Sequence, residues 1–380
     1  MRIVPTVTVL ALLGAAGCAS VSTEGPRTVS TTPMAVSAKR VDKVRADIDG
    51  LVRDGMPGVV ATLTENGQTV TLTAGVADRA KSTPIPMAPP QQVRVGSISK
   101  TFAATIIMQL VSEGKVRLDE PVDSYLPGLL SGDGVDGRAI TVRQILEHRS
   151  GLPEMSNDPE VDEVQAVANG RTFTPAQEIA LALRKPAQFA PGERFKYTNT
   201  NFIVAGMLVE KVTGRTYSDE LTGRITTPNH LTDTYLPGPG ETGFRGPHLQ
   251  GYMTVDGAST DVTRSEPSIA WSAGGLISTG NDLNNFYLAL VAGKILADAQ
   301  LRDMLATQPR ADGTGLDYGL GIGAAQLSCG TEFFGHSGEI NGYVTISGAT
   351  RDARAVTIAM NDSSAKEPNW LTLLSDALCP

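Results

Sequence analysis

The chain has 380 residues, of which 41% are hydrophobic and 19% charged, enough apolar material to bury a full core and too much for a disordered protein. Its length suits two domains, or one domain carrying a large insertion. A net charge of −8 and the lack of any basic run exclude nucleic acid and an anionic membrane surface as partners, since both call for clustered Lys and Arg.

The first residues, "MRIVPTVTVLALLGAAGCAS", combine one arginine, an apolar stretch and a run of small residues. This predicts a secretory signal over residues 1–18, too short to be a spanning helix. Ala15-Ala16-Gly17-Cys18 also resembles a bacterial lipobox, which would make Cys18 the lipidated N-terminus, with plain secretion as the alternative. The protein is therefore expected in the cell envelope, lipid-anchored to the membrane or secreted into the periplasm. Residues 19–40 are rich in Ser, Thr and small residues without an apolar period and read as a flexible tether.

Residues 58–75 are two alternating stretches joined at Asn66-Gly67, which predicts a β-hairpin with a type I′ turn. From Ser97 to Gly114 the chain is apolar almost all round, the pattern of a helix buried on most sides, and Gly114 suits its C-terminal cap. Short helices punctuated by Pro and Gly follow, in "TVRQILEHRSGLP", "TPAQEIALALRKP" and "NTNFIVAGMLVEKVTG". Alternation returns from about residue 317, with room for three or four strands and a final helix at about 368–378. The expected fold is α/β: an antiparallel sheet flanked by helices, built from residues 41–116 and 271–380, with a mostly helical domain inserted at 117–270. In an exported chain Cys329 and Cys379 are expected to form a disulfide, two buried thiols being the alternative.

Ser-x-x-Lys occurs three times, at Ser97/Lys100, Ser112/Lys115 and Ser363/Lys366, and roughly one such pair is expected by chance in a chain this long. Context separates them. Ser97 stands where strand gives way to a buried helix, so free N–H groups and the positive dipole end lie beside its oxygen, and desolvation there lowers the pKa of a lysine. Ser112 lies at the wrong end of the same helix, and Ser363 lies in a polar loop.

Two further stretches add chemistry. Tyr197-Thr198-Asn199 precedes a helix, offering a phenol that a nearby cation would acidify and an amide that both donates and accepts. His336-Ser337-Gly338 falls on a predicted strand, where a cationic or hydrogen-bonding side chain would project into a cleft beside a glycine that lets a ligand approach. A competing nucleophile is Ser272 in "AWSAGG", with Asp317 and His336 in the order of an α/β-hydrolase triad; the stretch before it carries a proline and charges rather than a buried strand. The four histidines show no paired spacing, so neither a metal nor a cofactor is implied.

In the order Ser-x-x-Lys, Tyr-x-Asn, His-x-Gly, with "EHRSGL", "YTNTNFIVAGML", "YGLG" and "LSCG" around them, the chain resembles the penicillin-recognising serine hydrolases. Within these it is similar to exported serine D-Ala-D-Ala carboxypeptidases and class C β-lactamases, over roughly residues 42–380. The resemblance implies Ser97 as the acylated nucleophile, Lys100 as its activator, and Tyr197 as base toward Ser97 and then acid toward the leaving amine. It implies substrate binding by Asn199, Trp271, His336, Ser337 and Gly338, and an oxyanion hole from the N–H groups of Ser97 and Glu339. It also implies the Cys329–Cys379 pairing. One departure stands out, because Gly323-Ala324-Ala325 follow "YGLG" where close carboxypeptidase relatives carry an arginine for the terminal carboxylate. The expected activity is a D-Ala-D-Ala carboxypeptidase that β-lactams acylate, acting as a monomer; a β-lactamase or esterase on the same machinery, or a non-catalytic envelope protein of this fold, are the alternatives.

Overall fold

Asn66 and Gly67 both have positive φ, 50° and 76°, as a type I′ turn requires, and they join strand β1 (Gly58–Glu65) to β2 (Gln68–Asp78). The computed structural model describes Thr8 and residues 36–310 and 315–380. The expected signal segment, Cys18 and the tether up to residue 35 otherwise lie outside the described residues. β3 (Thr83–Pro84) extends the hairpin, and the C-terminal part of the chain adds β4 (Asp317–Tyr318), β5 (Gly323–Gln326), β6 (Glu332–Ile340), β7 (Tyr343–Thr350) and β8 (Arg354–Met360). They form one antiparallel sheet in the order β4-β5-β6-β7-β8-β1-β2-β3. Sheet material from both ends of the chain thus meets where β1 pairs with β8. Five strands follow residue 316 rather than three or four, because the two-residue β4 pairs with β5.

Both faces of the sheet are covered, so β1 is buried along almost its whole length. On one face Val59, Ala61 and Leu63 pack beneath the helices Ala38–Arg53 and Trp370–Leu378. On the other, Val60 joins a core shared with Ser99–Ser112, Thr200–Thr213 and Gly280–Val291. Burial of alternate residues on opposite sides is what a period of two produces when neither face meets water.

The first helix begins at Ala38, before the expected end of the tether. Arg40 is only 2% exposed, ion-paired to Glu65 and donating to the Ala377 carbonyl at 3.2 Å. Tertiary contacts draw these residues into a helix whose apolar period starts only at Val41 and Val44. Cys329 and Cys379 are joined by a disulfide, which ties the β5–β6 turn to the end of the last helix. Between residues 117 and 270 lie the helices Val142–Leu146, Glu163–Asn169, Pro175–Ala182, Thr200–Thr213 and Tyr217–Leu221. Two of them start at capping boxes, Thr141 with Gln144 and Thr174 with Gln177, each satisfying two orphan N–H groups at a helix start.

Candidate active site

Ser97 sits in a single 3-10 turn, Gly96–Ile98, directly before the Ser99–Ser112 helix. Eleven of that helix's fourteen residues are buried, so the turn stands on a rigid central mount. Ser99 Oγ donates to the Gly96 carbonyl at 2.7 Å and accepts from Leu276 N–H at 3.2 Å, pinning the turn from behind.

Two glycines let the turn touch strand β6. A Cβ at Gly96, where φ is +53°, would meet backbone atoms of Glu339 at 2.7–2.9 Å, and one at Gly338 would lie 2.0 Å from the Val95 carbonyl oxygen and 3.0 Å from Ser97 N. Ile340 and Tyr343 flank the two-residue turn Asn341-Gly342, and Glu339 faces Val344. Bonded and non-bonded pairs alternate in an antiparallel ladder, so the Glu339 N–H turns away from β7 toward the Ser97 turn. The N–H groups of Ser97 and Glu339 are thereby brought side by side, the arrangement an oxyanion hole needs.

Lys100 is fully buried. Its Nζ lies 2.8 Å from Ser97 Oγ, 2.7 Å from Asn199 Oδ1 and 2.7 Å from the Ala273 carbonyl. Desolvation lowers its pKa from 10.5 to about 7, against the opposing pull of Glu154. The three neighbours fit both protonation states. A neutral amine donates to the two carbonyl oxygens, which can only accept, and its lone pair receives the Ser97 proton; an ammonium donates to all three. Transfer of the proton needs no movement of heavy atoms.

Tyr197 behaves differently from the expectation. Its ring lies 4.9 Å from Lys100 Nζ, but burial outweighs the lowering effects of Ser97 and Arg310, and its pKa is raised above 10. The phenol is therefore protonated, suited to act as an acid rather than as the base toward Ser97. Its hydroxyl is turned toward Ser97, yet lies short of hydrogen-bond geometry with any group.

Several residues that shape this centre were not singled out in the sequence, although His148 falls in the "EHRSGL" stretch. His148, with φ of 56°, stacks on Tyr197 at 4.0 Å between ring centroids, and its Nδ1 accepts from Thr198 N–H and faces Asn201 Nδ2, both at 3.2 Å. Burial keeps it neutral. Glu154 accepts the Asn199 N–H at 2.6 Å. Arg310 lies over the rings of Phe195, Tyr197 and Tyr318, at 5.0, 5.8 and 5.3 Å.

His336 does not enter a cleft as a cation. It is 4% exposed, and burial drives its pKa down to about 3. Its Nδ1–H donates to the Ser337 carbonyl, which leaves Nε2 to accept from the Tyr318 hydroxyl at 2.9 Å. Trp271 departs from expectation too. Its ring meets Tyr217 edge-on at 5.5 Å and lies against Gly206, inside a helix kinked at Trp271 itself, where φ is 31°. Ser272 is fully buried and donates to the Phe202 carbonyl at 2.7 Å, so among the described residues its hydroxyl proton is engaged by a carbonyl rather than by a histidine.

A cavity of about 320 Å³ opens beside Ser97, lined by Met155, Glu163, Tyr197, Asn199, Ile269 and Glu339 among others. Lys100, Trp271, His336, Ser337 and Gly338, expected at the site, do not line it. The charged residues on the described wall are both carboxylates, Glu163 and Glu339.

Residues 42–371 match the Beta-lactamase family. The chain is 27% identical over 320 residues to a D-aminopeptidase of Brucella anthropi, across 80% of this chain and 56% of that protein. It spans about half the length of the curated relatives it matches. A D-stereospecific amidohydrolase from Streptomyces sp. superposes with a TM-score of 0.80 at 35% identity, covering 88% of this chain and 98% of the other. A D-amino acid amidase from Ochrobactrum anthropi SV3, complexed with L-phenylalanine, gives 0.78 at 26% identity, over 89% and 97%.

Proposed function

The chain belongs to the Beta-lactamase family, a family of serine hydrolases, and on that footing we propose that it cleaves amides and short peptides of D-amino acids bearing a free α-amino group, through an acyl-enzyme on Ser97. Neutral Lys100 takes the Ser97 proton as Oγ attacks the carbonyl, and the developing oxyanion accepts from the N–H groups of Ser97 and Glu339. Asn199 gives its carbonyl end to Lys100, leaving its NH₂ to hold the acyl unit. The protonated Tyr197 delivers its proton to the departing nitrogen and recovers one from the Lys100 ammonium, and water then attacks the acyl carbonyl, its proton returning to Ser97 Oγ as the acid leaves.

One observation carries the choice of substrate: the charged groups on the cavity wall are carboxylates, and Glu154 adds a third beside Asn199. Such a wall attracts an ammonium and repels a terminal carboxylate. A carboxypeptidase acting on D-Ala-D-Ala shares the acyl transfer but needs a cation for that carboxylate; Ala324 and Ala325 are buried small residues on β5, and Arg310 lies over the rings of Phe195, Tyr197 and Tyr318 rather than on the cavity wall. The names of the relatives, a D-aminopeptidase and D-specific amidases, point the same way.

The test compares kcat/KM for D-alaninamide and D-phenylalaninamide with their N-acetyl forms and with N-acetylated D-Ala-D-Ala, using Ser97→Ala as the blank. The free-amine amides are expected to lead by about tenfold or more, the worth of one charge-assisted contact. Cleavage of the acetylated dipeptide with inert amides would reverse the reading.

A further inference from the structure

Glu178, on the Pro175–Ala182 helix, is fully buried, and neither carboxyl oxygen has a hydrogen-bond partner. A buried polar group left unsatisfied calls for an explanation. Burial first, then the neighbouring carboxylates of Glu163 and Glu154, push its pKa well above the usual range. Glu163 is half-buried on the cavity wall, raised chiefly by burial and accepting only from Ser265 Oγ, at 3.1 Å. Arg94 opposes that rise, but its guanidinium donates to the carbonyls of Thr242 and Thr263.

The cavity does not end at Glu163. A groove of about 420 Å³ continues from it, sharing Ser156, Glu163, Ile269 and Asn341 and adding Asp158 and Asp162. Arg184 pairs with Asp158 and with Glu160, and Asp162 caps a helix, so those two carboxylates have partners in the fold. Glu163 and Glu178 have no ion-pair partner among the described residues. The leaving group must depart beside Tyr197, which protonates it, so the acyl unit lies toward Asn199, Met155 and Ile269, the side that leads to Glu163.

We propose that this end of the cavity is a subsite for a cationic side chain, and that the acyl residue of the substrate is a basic D-amino acid whose side-chain ammonium or guanidinium contacts Glu163, which lines both the cavity and the groove beyond it. This rests on the reading of the reaction given above and narrows its substrate. Lysine, ornithine and arginine supply the length and charge; norleucine supplies the length alone.

The experiment measures kcat/KM at low ionic strength for D-lysinamide, D-ornithinamide and D-norleucinamide in the wild type, Glu163→Gln and Glu178→Gln. The wild type is expected to favour the two cationic amides by about tenfold or more, and Glu163→Gln to collapse that ratio. Glu178→Gln, which replaces a carboxyl that burial already holds protonated, is expected to leave it unchanged and serves as the control for Glu163→Gln. Equal rates on lysine and norleucine amides, or a ratio that survives Glu163→Gln, would overturn the subsite. If no amide is cleaved while Ser97-dependent ester hydrolysis continues, the proposed substrate class falls. The subsite is then read by inhibition of the ester reaction, where D-lysinamide must outcompete D-norleucinamide, and equal inhibition overturns it.

Discussion

Replacing Lys100 by Met tests the proton inventory of the site in two independent ways. In the folded chain burial holds the Lys100 pKa at about 7 against an ordinary 10.5, so between those values the unfolded chain binds a proton that the folded chain does not. Stability therefore rises with pH across that window, and below it the dependence disappears because both states are protonated. One proton of difference is about 1.4 kcal/mol per pH unit, which integrates to about 3 kcal/mol between about pH 7 and pH 9.5. The Lys100→Met chain lacks this dependence, while every other titrating group is common to both proteins. Urea unfolding at a series of pH values should thus show the wild type gaining on the variant by that amount as pH rises. Hydrogen bonds lost by Asn199 and Ala273 displace the whole difference without tilting it. The same ionisation should appear as a rise in wild-type kcat/KM centred near pH 7 on an ester without an ionisable group, since that parameter reports the free enzyme. A stability difference that stays flat across the window would refute the reasoning, because it would mean that Lys100 keeps its proton as long in the fold as out of it.

The other expectations are simpler to read. Gly338→Ala places a Cβ 2.0 Å from the Val95 carbonyl oxygen and must part β6 from the Ser97 turn, so acylation should slow by about 10²–10³-fold, the loss typical of one oxyanion donor; kcat/KM on an ester without an ionisable group measures it, and an unchanged value would remove Glu339 N–H from the hole. Ser272→Ala should leave hydrolysis of that ester intact while lowering stability by about 1–3 kcal/mol, whereas Ser97→Ala should abolish it; the opposite pattern would exchange the two serines. Changing Cys329 and Cys379 together to Ser should lower unfolding stability by about 4 kcal/mol in the chain-entropy account of a loop closed over 50 residues, read by denaturant titration against the oxidised wild type. Nitrogen NMR of the histidines should show His336 neutral down to about pH 4, given a pKa near 3, and titration nearer its ordinary value would restore a cationic histidine to the site.

What the sequence determined by itself was local. The Asn66-Gly67 turn, the alternation in β1, β2 and the C-terminal strands, and the buried helix after Ser97 all follow from periods of two and 3.6 and from residues that tolerate positive φ. The pairing of Ser97 with Lys100 was equally legible, because at i and i+3 two side chains on a helical start must meet whatever surrounds them.

Tertiary structure decided everything that depends on which groups lose water and which charges face them. Lys100 was recognisable as a partner of Ser97, but the carbonyls of Asn199 and Ala273 that satisfy its neutral form come from 99 and 173 residues away. Tyr197 was expected to lose its proton readily and is instead held protonated, because desolvation outweighs the pull of Ser97 and Arg310. His336 was expected in the cleft and is bonded to Tyr318, across the two strands that flank β5. The carboxylates of Glu154, Glu163 and Glu178 lie on separate segments between residues 154 and 178 and had no pattern to announce them. A pKa and the sign of a cavity wall are sums over neighbours brought together from distant parts of the chain, and a one-dimensional pattern reports only what recurs along it.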